Sequence, residues 1–198
     1  MRKAGHRTLT PDDWAGAALA AIARGGVDAV AVETVAAELG ATKGSFYWHF
    51  KNRDALVQAA LDMWEQRGTE AVIEEFEREP DPAIRLKKIL EAGFEVGPTD
   101  RAEIALLANP DHAAVRAVRR VAERRITYIA EQLEKLGWDS ADALDRAVLM
   151  YYVYVGHLQM AHVTPQVINH GARRRHLELV FDVFAAGELP TSQPPARG

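Results

Sequence analysis

Cysteine is absent from the 198 residues, which excludes disulfides and thiolate metal sites and makes a reducing compartment, the cytoplasm, the expected setting. No apolar stretch approaches the roughly 20 residues needed to cross a bilayer, so no membrane partner is expected. The closest thing to a targeting signal is Arg2, Lys3 and Arg7 ahead of the small apolar run from Ala15 to Ala23. Pro11, Asp12 and Asp13 interrupt it, and they suit a helix start better than a signal sequence. Strand signals are nearly missing too: no hairpin turn separates alternating runs, and apolar residues recur at helical spacing. Enzyme chemistry has little to stand on. There is no nucleophile elbow, phosphate loop or clustered acid pair, and the seven histidines are scattered. His157 and His162 are five apart and do not share a helix face as zinc ligands at i, i+4 would. No catalytic residue, metal or cofactor is expected.

What remains is an apolar content of 48%, enough for a real core, and an all-α pattern of about nine helices. The net charge of −4 is unevenly spread. Residues 1–53 hold seven Lys or Arg against five acids, and the remainder holds 17 against 23. The positive field therefore falls on the N-terminal segment, where a nucleic-acid surface would need it.

That segment reads as three short helices. Thr10 caps the first, with Pro11 at its first position, Asp13 completing a capping box and Leu9 against Trp14 as a hydrophobic staple. Trp14, Ala18, Ala21 and Ile22 form its buried stripe, and Gly25 with Gly26 ends it. A second helix runs from about Glu33 to Leu39 and stops at Gly40, and Thr42 caps a third. Helix, glycine turn and helix in this span have the spacing of a helix-turn-helix. The third helix carries Phe46, Tyr47, Trp48, His49 and Phe50 in unbroken succession, and residues 100° apart around an axis cannot all be buried. Phe46 and Phe50, four apart, face inward with Val35, Ala36 and Leu39. Tyr47, Trp48 and His49 then lie on the outer arc with Lys43 and Ser45. Trp48 either meets a partner surface from this arc or packs against the first helix or the domain seam. Arg2, Lys3 and Arg7 read either as a minor-groove arm or as a solvated terminus. Asn52 caps a long fourth helix over 53–79, broken by Pro80 and Pro82.

The segment VETVAAELGATKGSFYWHFKNRDALVQAAL, Val32 to Leu61, closely resembles the DNA-binding domain of the tetracycline-repressor (TetR) family of bacterial transcriptional regulators. The pattern is carried by Ala36, Gly40, Thr42, Tyr47, Phe50 and Lys51. The resemblance implies a homodimer that binds a palindromic double-stranded DNA operator as a repressor and is released by a small-molecule inducer. It implies that Thr42 and Lys43 meet a phosphate at the recognition-helix N-terminus and that Gly44 permits close approach. Ser45 would face the groove, Tyr47 and His49 would contact phosphates or bases, Trp48 would pack near a sugar or thymine methyl, and Lys51 would hold the backbone. Two positions depart from the pattern. Ala31 stands where a Ser or Thr cap is usual, and Glu33 where some members carry a base-reading Arg. A glutamate there either accepts a bond from a cytosine amino group or is repelled by phosphate.

Beyond Pro82, helices are expected at about 82–96, 101–108, 111–136, 140–163 and 172–186, with a disordered tail over 190–198. Residues 54–189 are thus the expected ligand-binding and dimerisation domain, after a DNA-binding domain of residues 1–53. Ala147 to Val163 is apolar almost all round, as is Leu177 to Ala186, where Leu177, Val180, Phe181 and Phe184 form one stripe and Leu179 and Val183 another. Such helices near the end of so short a chain are most simply buried by a second copy, so a homodimer is expected through 140–163 and 172–186. Met63, Trp64, Phe94, Tyr128, Tyr151, Tyr152 and His157, with Tyr154 and Met160 nearby, either line an aromatic ligand cavity or pack the core and dimer seam. Their polar tips favour the cavity. The arginines from Arg116 to Arg125 read as a solvated helix face. An alternative for the whole chain is a helical small-molecule binding or sequestering protein without DNA binding.

Overall fold

The computed structural model describes residues 8–95, 98–108, 111–164, 166–167 and 170–185. Arg2, Lys3, Arg7 and the tail over 190–198 lie outside the described residues. All regular structure among the described residues is helical: α1 (Pro11–Gly25), α2 (Val32–Glu38), α3 (Lys43–Tyr47), α4 (Arg53–Glu65), α5 (Ala71–Phe76), α6 (Pro82–Phe94), α7 (Pro98–Leu107), α8 (His112–Lys135), α9 (Ser140–Val163) and α10 (His170–Phe184). A 3-10 turn (Val27–Ala29) precedes α2, and a π turn (Gln66–Glu70) joins α4 to α5. Counted as one interrupted helix, α4 and α5 bring the total to the nine expected. None of these helices is long and apolar enough to cross a membrane.

Packing divides the chain into two compact units, Met1–Glu75 with Val96–Arg124, and Phe76–Glu95 with Arg125–Gly198. A boundary is expected at residue 53, whereas by packing α4 and α7 join α1 in the first unit. The composition of α1 explains this. Its capping box forms as expected, with Asp13 donating its N–H to the Thr10 hydroxyl at 3.3 Å and the Thr10 N–H donating to the Asp13 carboxylate at 2.8 Å. Its buried face, however, includes Ala15 and Leu19 beside Trp14, Ala18, Ala21 and Ile22. A stripe that wide covers two neighbours, and α1 packs against both α4 and α7. Ala102, Leu106, Ala114, Ala117 and Val121 complete the core of this unit.

In the second unit Leu86, Leu90, Phe94, Leu133, Trp138, Ala143, Ala147, Met150, Leu177 and Val180 form the core. A buried polar chain crosses it. Arg85 donates to the Gln132 side chain at 2.8 Å and to the Glu79 carbonyl at 3.0 Å, and Gln132 donates to the Tyr128 carbonyl at 3.1 Å. The two stripes expected on α10 separate cleanly: Leu177 and Val180 are buried, while Leu179 and Val183 are exposed. On α9 the exposed face carries Leu144, Leu149, Tyr152, Met160 and Val163.

Candidate nucleic-acid interface

The turn between α2 and α3 is set by hydrogen bonds that only a left-handed residue permits. Gly40 has φ 63°. Its N–H reaches the Ala37 carbonyl at 3.1 Å, and the Ala41 N–H reaches the Ala36 carbonyl at 2.8 Å, the paired bonds of a Schellman motif. Thr42 follows as the cap of α3 and accepts from the Ser45 N–H at 3.1 Å. Ala31 caps α2 without a side-chain bond, as its side chain dictates. Phe46 and Phe50 point inward and stack at 5.8 Å, and Phe46 meets the edge of the buried Trp14 at 5.6 Å. Arg53, at the start of α4, donates to the Val30 carbonyl at 2.7 Å and the Val27 carbonyl at 2.6 Å. It ties the recognition segment to the turn before α2.

The inner pair leaves most residues of α3 and its flanking turns outside. Tyr47 is 57% exposed and Trp48 88%, and Thr42, Lys43, Gly44 and Lys51 are exposed with them; Ser45 is half-buried. His49 differs from its sequence expectation. It is half-buried, its ring 6.4 Å from that of Trp14. Regular helix ends at Tyr47, and the tighter turn that follows rotates His49 back toward α1. On the surface at the front of α3, the Lys43 ammonium donates to the Glu33 carboxylate of α2 at 2.5 Å. That bond holds the Glu33 carboxyl below its ordinary range and raises the Lys43 ammonium above its own. The face is therefore aromatic and polar, with a bound ion pair at one edge.

Residues 16–60 match the family model of bacterial regulatory proteins of the tetR family. The chain carries a TetR-family helix-turn-helix domain. Among solved structures, a transcriptional regulator from Rhodococcus sp. Rha1 superposes with a TM-score of 0.77 at 20% identity, over 90% of this chain and 97% of that one. A protein from Saccharomonospora viridis, solved in complex with choline, gives 0.74 at 18% identity over 87% and 95%. The regulator FadR from Bacillus subtilis, in complex with stearoyl-CoA, gives 0.70 at 12% over 90% and 100%. At these identities the likeness is one of fold, and it extends well beyond the TetR-family domain. No curated protein sequence matches the chain.

The residues expected to line a ligand cavity are distributed between the two units. In the unit that holds the TetR-family domain, Met63 packs against the core beside Gly16, and the buried Trp64 donates its indole N–H to the Thr99 carbonyl at 3.2 Å. In the other unit Phe94, Tyr128, Tyr151 and His157 are buried. Phe94 and His157 stack at 4.4 Å, and the His157 Nε2 lies 3.1 Å from the Phe94 carbonyl. Tyr152 is 65% exposed on the apolar face of α9, so it belongs to a surface. Tyr154 sits beneath Arg125, whose guanidinium donates to its hydroxyl at 3.1 Å. A cleft of about 290 Å³ between α6 and α10 is lined by Lys87, Glu91, Phe94, Arg173, Arg174 and Leu177, among others. Phe94 alone of the seven expected residues reaches it.

Two features were missed from sequence. Arg53 reads in the sequence only as positive charge, whereas its head satisfies two backbone carbonyls; a basic residue directly after an N-cap asparagine is the sole hint. The Arg85–Gln132 chain joins residues 47 apart, and neither helix pattern signals it.

Proposed function

We propose that the protein is a ligand-responsive transcriptional repressor that acts as a homodimer on a palindromic operator. The observation that carries the reading is the two-sided segment of α3 and the turn after it: Phe46 rests on Trp14 with Phe50 stacked on Phe46, and Tyr47, Trp48, Lys43 and Lys51 are left facing water. Large aromatic side chains beside ammonium groups on a helix-turn-helix suit the sugars, phosphates and base edges of a major groove. His49, drawn toward α1, would reach a backbone phosphate more readily than a base.

The dimer reading rests on α9 and α10. Leu149, Tyr152, Gly156, Met160 and Val163 are exposed at spacings of three and four, as are Leu179 and Val183. This is the seam of a helix pair that lacks its partner, and Gly156 lets a second backbone come close. Two copies would set their recognition helices in successive major grooves, about 34–36 Å apart. An inducer taken up by the second unit would favour a state in which that separation is wrong, a shift that needs only differential affinity for the two states. Two fold neighbours solved in complex with choline and with stearoyl-CoA support a ligand-responsive reading of this chain. Such a regulator works where the DNA is, in the bacterial cytoplasm.

The test is a gel-shift titration against the DNA upstream of the protein's own gene and against a random duplex library taken through selection. The expected result is salt-sensitive binding to an enriched palindrome. Absence of any enriched sequence and of any salt-sensitive shift refutes the repressor.

A further inference from the structure

Glu33 and Lys43 form an ion pair between α2 and the start of α3, with both side chains more than half exposed. An ion pair in open water adds little to stability, so the fold has no need of it. Its place gives it another use. Lys43 is the first residue of α3, four positions before Tyr47, and a carboxylate next to the recognition helix would be repelled by phosphates were it not neutralised.

We infer that Glu33 and Lys43 act as one reading unit that selects a C·G base pair, with Glu33 the specificity-determining residue. The inference rests on the DNA-binding reading above. Its warrant is a match of spacing and polarity. In a C·G pair the cytosine N4 amino group and the guanine O6 are hydrogen-bonded to each other, so a donor and an acceptor lie about 2.9 Å apart on the major-groove edge. The protein presents the complement: a carboxylate and an ammonium side by side at hydrogen-bonding distance. The carboxylate's free lone pairs accept from N4, and the two remaining ammonium protons reach O6 and the neighbouring N7. An A·T pair offers a donor flanked by one acceptor on each side, so Lys43 there finds one acceptor instead of two adjacent ones. The pairing also withholds Lys43 from the phosphates. It lowers sequence-independent attraction while keeping the reading contact.

The test is library selection and salt titration with the full-length wild type, Glu33→Gln and Lys43→Gln. Wild type should enrich a C·G pair at one position of each half-site. Glu33→Gln should still enrich the palindrome but lose that preference by about tenfold or more. It should also bind non-specific duplex more tightly, with a salt slope steeper by about one per subunit as Lys43 is freed for phosphate. Lys43→Gln should lose the same base preference without the steeper slope. Enrichment by all three proteins with unchanged base frequencies and an unchanged slope for Glu33→Gln overturns the inference and leaves the repressor reading intact. Failure of the wild type to enrich any site overturns both. Glu33 is exposed, and a thermal melt of each variant checks that folding is untouched.

Discussion

Tyr47 and Trp48 keep more than half of their surface in water, which forgoes the burial that side chains of this size usually gain. A DNA groove that covers them restores it. Tyr47→Ala is expected to weaken operator binding on the order of tenfold or more, the scale of a lost contact worth about 1–3 kcal/mol. Trp48 also supplies its own reporter. Trp14, Trp64 and Trp138 are buried, so acrylamide should quench chiefly Trp48, operator DNA should protect it, and Trp48→Phe should abolish the accessible fraction. Glu33 offers a third check, by NMR titration of its carboxyl. The hydrogen bond from Lys43 depresses its pKa, so the pair is intact above the ordinary carboxylate range and is lost only as pH falls through the lowered midpoint; Lys43→Gln should move that midpoint upward. At this scale the sequence disclosed the inner pair, because Phe46 and Phe50 stand four apart. The place of His49 was hidden, since it depends on where helical winding stops after Tyr47.

Caps and glycines made the elements legible. Thr10, Thr42, Asn52, Asp81 and Asp139 each accept from backbone N–H groups at a helix start, and α9 begins and ends where its pattern predicts. Gly40→Ala should lower stability by about 1–2 kcal/mol, because φ of 63° is costly for any residue with a Cβ. Thr10→Ala should cost about 1 kcal/mol through the lost cap. Urea denaturation measures both, and little change at Gly40 would mean that the Schellman turn is not as described. The π turn at Gln66–Glu70 had no sequence signal. Thr69 is buried within it, and burial at one point of a long amphipathic pattern is set by neighbours far along the chain. The full width of the α1 stripe is hidden for the same reason: Ala15 and Leu19 are buried too, and α1 packs against both α4 and α7.

For the whole molecule, the excess of apolar residues on α9 and α10 was plain in the sequence, and the structure leaves one face of each uncovered. Replacing Leu149 and Met160 together by glutamate should convert a dimer into a folded monomer, seen by sedimentation. Operator affinity should fall with it, since one head alone holds half a site. The expected ligand cavity was less legible. Aromatic residues on amphipathic helices look alike whether they line a cavity, pack a core or face a partner, and Trp64, Tyr128 and Tyr152 ended in different surroundings. In the proposed function the outer face of α3 meets DNA in a dimer. The most direct measurement is fluorescence anisotropy of a selected operator with wild type and Tyr47→Ala, with sedimentation run on the same samples. Binding at least tenfold weaker by a variant that remains a dimer is the expected result. Unchanged affinity, or a variant that falls apart into monomers, contradicts it.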